Sequence, residues 1–135
     1  LLLQAFRNAM QPGEELSVAT SAAAWVYNSM QLANMATYLD TINIMTYDFH
    51  GGWESKTMHH SSLYRNPLDP IADNGNKAVT DYIAAGVPAN KIILGVAFYG
   101  VTWKGVSAGT TNGLNQNGKT RLHFWHQKAW MPHPQ

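Results

Sequence analysis

The 135 residues include no cysteine. That excludes a disulfide framework and a thiolate metal site, and it leaves the redox compartment open. Charge is scarce as well, at 13% of residues, and nine Lys+Arg against eight Asp+Glu leave a net +1. No electrostatic footprint favours nucleic acid or an anionic membrane, so a neutral partner is expected. No apolar run approaches the roughly 18 residues that a membrane-spanning helix needs. Residues 1 to 3 (LLL) are too short for a signal h-region and have no basic flank, so no targeting segment is visible. A Gly-rich phosphate loop is missing too.

What is present is ordinary globular material: 45% apolar residues in a length suited to one domain. The chain lacks an initiating methionine and opens inside a pattern, with Leu3, Phe6 and Met10 at helical spacing and no N-cap before them. A helix cut inside its own length is the expectation. Pro12-Gly13 stops it. LSVAT (16 to 20) reads as a strand, and Leu32, Met35, Ala36 and Leu39 form a helical stripe. TINIMT (41 to 46) reads as a second strand, with Ile42 and Ile44 on one face and Met45 on the other. A polar loop over about 47 to 70 precedes a helix marked by Ala78, Val79, Tyr82 and Ile83 and closed by Gly86 and Pro88. KIILGVAFY (91 to 99) is the third and most apolar strand. Apolar strands alternating with amphipathic helices predict an α/β fold with βαβ units and a parallel sheet. Beyond residue 104, Asn112-Gly113 and Asn117-Gly118 read as hairpin turns of a β-rich insertion. The expected division is therefore 1 to 104 and 105 to 135.

Parallel sheets gather ligands at the carboxyl ends of their strands. Tyr47 and Asp48 close the second strand, and Phe98 and Tyr99 close the third, with Trp103 just beyond. A phenol and a carboxylate can together hydrogen-bond a neutral amide or hydroxyl, while Trp53 and Trp103 offer flat faces for the apolar side of a sugar. With little net charge and no phosphate loop, a carbohydrate fits better than a phosphate ester.

These residues carry a resemblance. INIMTYDFHGGWE is similar to the sixth-strand signature of glycoside hydrolase family 18, the chitinases and chitinase-like lectins, and KIILGVAFYGVTW resembles that family's seventh strand. The likeness covers about residues 1 to 106. It implies an eight-stranded (β/α)8 TIM barrel, of which this sequence would hold three strands, and the start of a small α+β insertion after the last of them. It also implies chitin or chito-oligosaccharides as partner, no cofactor, no metal, and an extracellular location. The chemistry implied is substrate-assisted: the sugar's own N-acetyl group is the nucleophile. On that basis Tyr47 would hydrogen-bond the acetamido oxygen and Asp48 the distorted reacting sugar. Met45 would belong to the floor of the site, Trp53 would stack on sugars on the leaving-group side, and Tyr99, Phe98 and Trp103 would line the same cleft.

The family's general acid, the glutamate of Asp-x-x-Asp-x-Asp-x-Glu after the fourth strand, has no counterpart in these residues; Glu14, Glu15 and Glu54 do not stand in such a motif. The 135 residues alone are therefore expected to be inactive, and a lectin-like binding role or an inactive truncated product is the alternative. Val101 stands where the family usually has arginine and Ala97 where it has proline, while His60 and Ser62 replace an asparagine and a proline. The last fifteen or so residues resemble nothing in the family.

Plainer readings stand beside these. Tyr47-Asp48 also suits a strand-end turn with a capping carboxylate, and Trp53 and Trp103 suit partly buried core. His59-His60 reads as a solvated pair, and His123, His126 and His133 have only a loosely ligand-like spacing. The methionines at 10, 30, 35 and 45 read as core filler.

Overall fold

The computed structural model describes residues 2–120. The tail histidines at 123, 126 and 133 therefore lie outside the described residues. Element order is α1 (Leu2–Ala9), β1 (Ser17–Ser21), α2 (Ala24–Tyr27), α3 (Leu32–Ala36), β2 (Thr41–Met45), α4 (Gly75–Ala84), a 3-10 turn (Ala89–Lys91), β3 (Ile92–Leu94), β4 (Trp103–Lys104) and β5 (Lys119–Thr120). The first three strands make one sheet in the order β1-β2-β3, parallel throughout, with Val18 beside Ile42 and Ile42 beside Ile92. That is the predicted βαβ arrangement. β4 and β5 pair separately and antiparallel, Trp103 opposite Thr120.

The core forms on the helix-facing side of β2. Ile42 and Ile44 are fully buried, joined by Leu32, Ala36, Leu39, Ala78, Tyr82 and Val87. Each isoleucine at full burial is worth about 1.5–3 kcal/mol of transfer free energy. β-branched residues at 41, 42 and 44 suit the extended backbone. Helix α4 begins at Asn74, whose side chain accepts the Lys77 amide at 2.9 Å, an N-cap that satisfies an orphan donor. It ends at Gly86, φ +95°, where only glycine takes the left-handed turn without strain. Lys91 ties the elements by donating to the carbonyls of Ala36 at 2.8 Å and Leu39 at 2.7 Å.

Four sequence expectations change. The third strand spans three residues rather than nine, and it lies at the sheet edge with Ile93, Leu94, Val96 and Phe98 exposed. Side chains stand perpendicular to a sheet, so they are buried only where another layer packs on that face, and these four are not so covered. The helical stripe of 32 to 39 is a five-residue α3, and a separate short α2, not foreseen, precedes it. Asn112-Gly113 turns as expected, with φ +52° and +88°, whereas Asn117 forms an isolated bridge with Lys56 and is extended rather than turned. His60 is not solvated like its neighbour His59; it is half-buried and its Nε2 has no hydrogen-bond partner. The opening helix presents Leu2 and Phe6 to solvent, and Leu3 alone of its apolar residues packs against the core.

Candidate functional site

The site starts from the way β2 ends. The Ile44 carbonyl accepts the Gly95 amide at 2.8 Å, so the two strands run on side by side past their regular ladder. A Cβ at Gly95 would lie 2.7 Å from that carbonyl oxygen and 3.2 Å from the Tyr47 ring, so glycine is what permits the approach. Thr46 Oγ1 donates to the Gly95 carbonyl at 2.6 Å, and Ser61 Oγ donates to the Thr46 carbonyl at 2.8 Å. Side chains thus satisfy backbone groups where the sheet stops providing partners.

On this frame the chain turns sharply. Asp48 has φ +57°, the left-handed region that a residue with a Cβ rarely adopts, and such strain concentrates at functional sites. The turn brings its Oδ1 to the Tyr99 hydroxyl, which donates at 2.7 Å. Tyr47 and Tyr99 meet edge to face with ring centres 6.0 Å apart, and His60 packs edge to face with Tyr99 at 5.2 Å. Tyr47, Asp48 and Tyr99 are therefore assembled at one end of the parallel sheet. Burial, and then the bond to the Asp48 carboxylate, push the Tyr99 phenol well above its ordinary range, so it stays a neutral donor.

A cavity of roughly 510 Å³ opens at this end, with Met45, Tyr47, Asp48, Trp53 and Glu54 among its lining residues. Trp25 and Asp73 line it too, and sequence reading missed both. The strand-end rule applied to β1 would have found Trp25, which stands on α2 immediately after that strand and is 82% exposed. Among the described residues, three carboxylates and no lysine or arginine line the cavity, which disfavours an anionic ligand. Trp53 is 60% exposed, and its ring lies against Gly51, where any Cβ would collide with it. Phe98 is 93% exposed and is not among the lining residues.

Trp103 also stands away from the cavity lining. Its indole donates to the Glu54 carbonyl at 3.2 Å. The segment after β4 continues this bracing, since Asn115 N donates to the Thr57 carbonyl at 2.8 Å and Gly118 N to that of Ser55 at 2.8 Å. The small antiparallel pair thus supports the loop that carries Trp53. Among the described residues no group of three or more His, Asp or Glu has a metal-holding arrangement, and no helix is long and apolar enough to cross a membrane.

A phenol and a carboxylate thus stand at parallel strand ends, with the exposed indoles of Trp25 and Trp53 lining the same cavity. The family model for glycosyl hydrolases family 18 matches residues 1–131. The chain belongs to that family. The match runs beyond residue 106, where the sequence likeness faded. Endochitinase 1 of Metarhizium robertsii is 40% identical over 104 residues, covering 76% of this chain and 23% of its own length. Among solved structures, the chitinase ChiW of Paenibacillus sp. str. FPU-7, described as cell-surface-expressed, superposes with a TM-score of 0.79 at 38% identity, over 87% of this chain and 14% of that one. Catalytic domain 2 of the Group II chitinase of Ostrinia furnacalis, as a mutant in complex with penta-N-acetylchitooctaose, gives a TM-score of 0.79 at 33% identity, over 87% of this chain and 31% of that one. This family 18 chain is thus chitinase-like and a glycosidase by family, and it spans less than a quarter of the length of that curated relative. The family's catalytic domain is a TIM barrel, and the chain itself is α/β with a parallel sheet.

Proposed function

We propose that the chain supplies the acetamido-orienting part of a chitinase site, which cleaves β-1,4-linked N-acetylglucosamine polymers by substrate-assisted hydrolysis with retention. Its three parallel strands would be consecutive strands of the (β/α)8 barrel, with β4 and β5 opening the insertion. The observation that carries this reading is the Tyr47–Asp48–Tyr99 cluster at the strand ends, with Asp48 held at φ +57°. In substrate-assisted hydrolysis the acetamido oxygen attacks the anomeric carbon while the leaving oxygen takes a proton. Tyr47 donates its hydroxyl to the acetamido oxygen and keeps it in line. Asp48, with one oxygen engaged by Tyr99, turns its second oxygen to a donor on the distorted sugar. Met45 floors the site, and Trp53 and Trp25 offer faces to neighbouring rings. Orientation of this kind supplies several kcal/mol, on the order of the intramolecular proximity effect. Chitin is an extracellular polymer, so the reaction is placed outside the cell.

A second reading rests on the sequence itself. No Asp-x-x-Asp-x-Asp-x-Glu motif occurs in these residues, so the chain alone has no general acid for the leaving group and is expected to bind chito-oligosaccharides without cleaving them. That loss is worth about 10²- to 10⁴-fold in rate. One experiment addresses both readings. In a complete family 18 domain carrying this chain, Asp48→Ala should lower kcat on a chito-oligosaccharide by at least about 10², and the 135 residues alone should bind the same oligosaccharide with no turnover. Near wild-type turnover by Asp48→Ala would overturn the assigned roles, and hydrolysis by the isolated chain would mean that another residue delivers the proton.

A further inference from the structure

The mechanism leaves unused a deeply buried histidine near the cleft. His50 is 1% exposed, two residues beyond Asp48. Its Nδ1 lies 2.8 Å from Glu54 Oε2 and its Nε2 lies 2.7 Å from Asp69 Oδ2. Asp69 is itself buried, at 5% exposure, and its other oxygen accepts the Ile71 amide at 2.8 Å. An imidazole can serve two partners on opposite sides at a fixed distance; His50 and Asp69 are both buried, and Glu54 is about a quarter exposed where it meets the cavity.

The connection joins two stretches of chain that line the cavity. On one side are Trp53 and Glu54, and on the other Ile71 and Asp73, all four of them lining residues. Asp69 does not line the cavity, so it reaches that lining only through His50 and through the backbone it caps. The His50–Glu54 spacing of four residues is bridged here without a helix, which makes the turn between them, Gly51 to Trp53, a closed loop. Trp53 sits at the end of that loop with its ring on Gly51.

We propose that His50 is a positioning residue. Clamped between Glu54 and Asp69, it fixes the angle at which the Trp53 face and the Glu54 carboxylate meet a chito-oligosaccharide, and this part rests on the function proposed above. It touches no substrate. Its effect is on affinity, through the placement of an aromatic face, and aromatic recognition falls off when the face is tilted or shifted.

The test uses the 135-residue chain with two readouts: the Trp53 indole resonance in the sugar-free protein, assigned by its disappearance in Trp53→Phe, and the Kd for chitopentaose. Asp69→Ala should shift the Trp53 resonance and raise Kd about tenfold, the loss expected when one aromatic face is displaced rather than removed. Asp69→Asn keeps a hydrogen-bonding partner for Nε2 in either imidazole tautomer, so it should restore most of both. If Asp69→Ala does not fold, His50→Gln carries the same expectations. A folded Asp69→Ala or His50→Gln that melts lower but leaves resonance and Kd unchanged reduces the clamp to a stability element and overturns the proposal. If the unaltered chain binds no chitopentaose, the proposed function fails, while the Trp53 resonance still decides the positioning.

Discussion

The strained turn at Asp48 makes a quantitative prediction about three substitutions at one position. Asp48 has φ +57° and accepts a 2.7 Å bond from Tyr99. A hydrogen bond to a charged group is worth about 1.5–3 kcal/mol, and exposure of the carboxylate to water reduces this to about 1 kcal/mol. The left-handed backbone costs a residue with a Cβ about 1–2 kcal/mol, least for Asn and Asp and nothing for Gly. Asp48→Asn keeps an acceptor and a tolerant backbone, so its stability should stay within about 0.5 kcal/mol of the parent. Asp48→Gly loses the bond and adds unfolded-chain entropy but relieves the backbone, for a net loss of about 0.5–1 kcal/mol. Asp48→Ala loses the bond and keeps the strain without the local compensation that Asp enjoys, for about 1.5–2 kcal/mol. The gap of about 1 kcal/mol between Gly and Ala corresponds to roughly 3–6 °C in melting temperature for a chain of this size. Calorimetry or urea unfolding of the 135-residue chain resolves such a difference. Gly and Ala both remove the carboxylate, so their sugar affinities should fall together while their stabilities separate. An Ala variant as stable as the Gly variant would refute the reasoning, because the left-handed backbone at position 48 would then be absent in solution.

Gly51→Ala should leave stability within about 0.5 kcal/mol, since Gly51 has no left-handed φ and the exposed Trp53 ring can swing away. Chito-oligosaccharide affinity should nonetheless drop, and titration calorimetry showing unchanged affinity would contradict the placement of that ring. Alkaline stability depends on Tyr27, whose phenol is pushed up to about 12 by burial and by its bond to Asp81. A raised value in the folded state means that its stabilising contribution is whole below the unfolded value of about 10 and is lost as pH climbs towards the folded one. Melting temperature should therefore fall above about pH 10, and less steeply in Tyr27→Phe; Lys77, Tyr82 and Tyr99, also shifted upward, contribute to the remaining slope.

The sequence by itself determined the parallel βαβ arrangement and the strand ends at which Tyr47 and Tyr99 meet. Those follow from short-range rules: Ile42 and Ile44 alternate with polar neighbours, Gly86 marks a helix stop, and Tyr47 and Tyr99 must emerge at the same end of parallel strands. The family was legible for the same reason, because its signature is a contiguous strand with its exit turn. Tertiary structure alone decided which apolar residues are covered. Ile93 and Leu94 have strand-forming side chains whatever their surroundings, yet they are exposed because no layer of the described residues packs over them. It also decided that Trp103 braces Glu54 instead of lining the cavity, that Trp25 lines it, and that Asn117 bridges to Lys56 instead of turning. His50 shows why such features escape a reading of sequence. Its partners lie four and nineteen residues away with no helix or strand to fix their phase, so the pairing exists only once the loop has closed on itself.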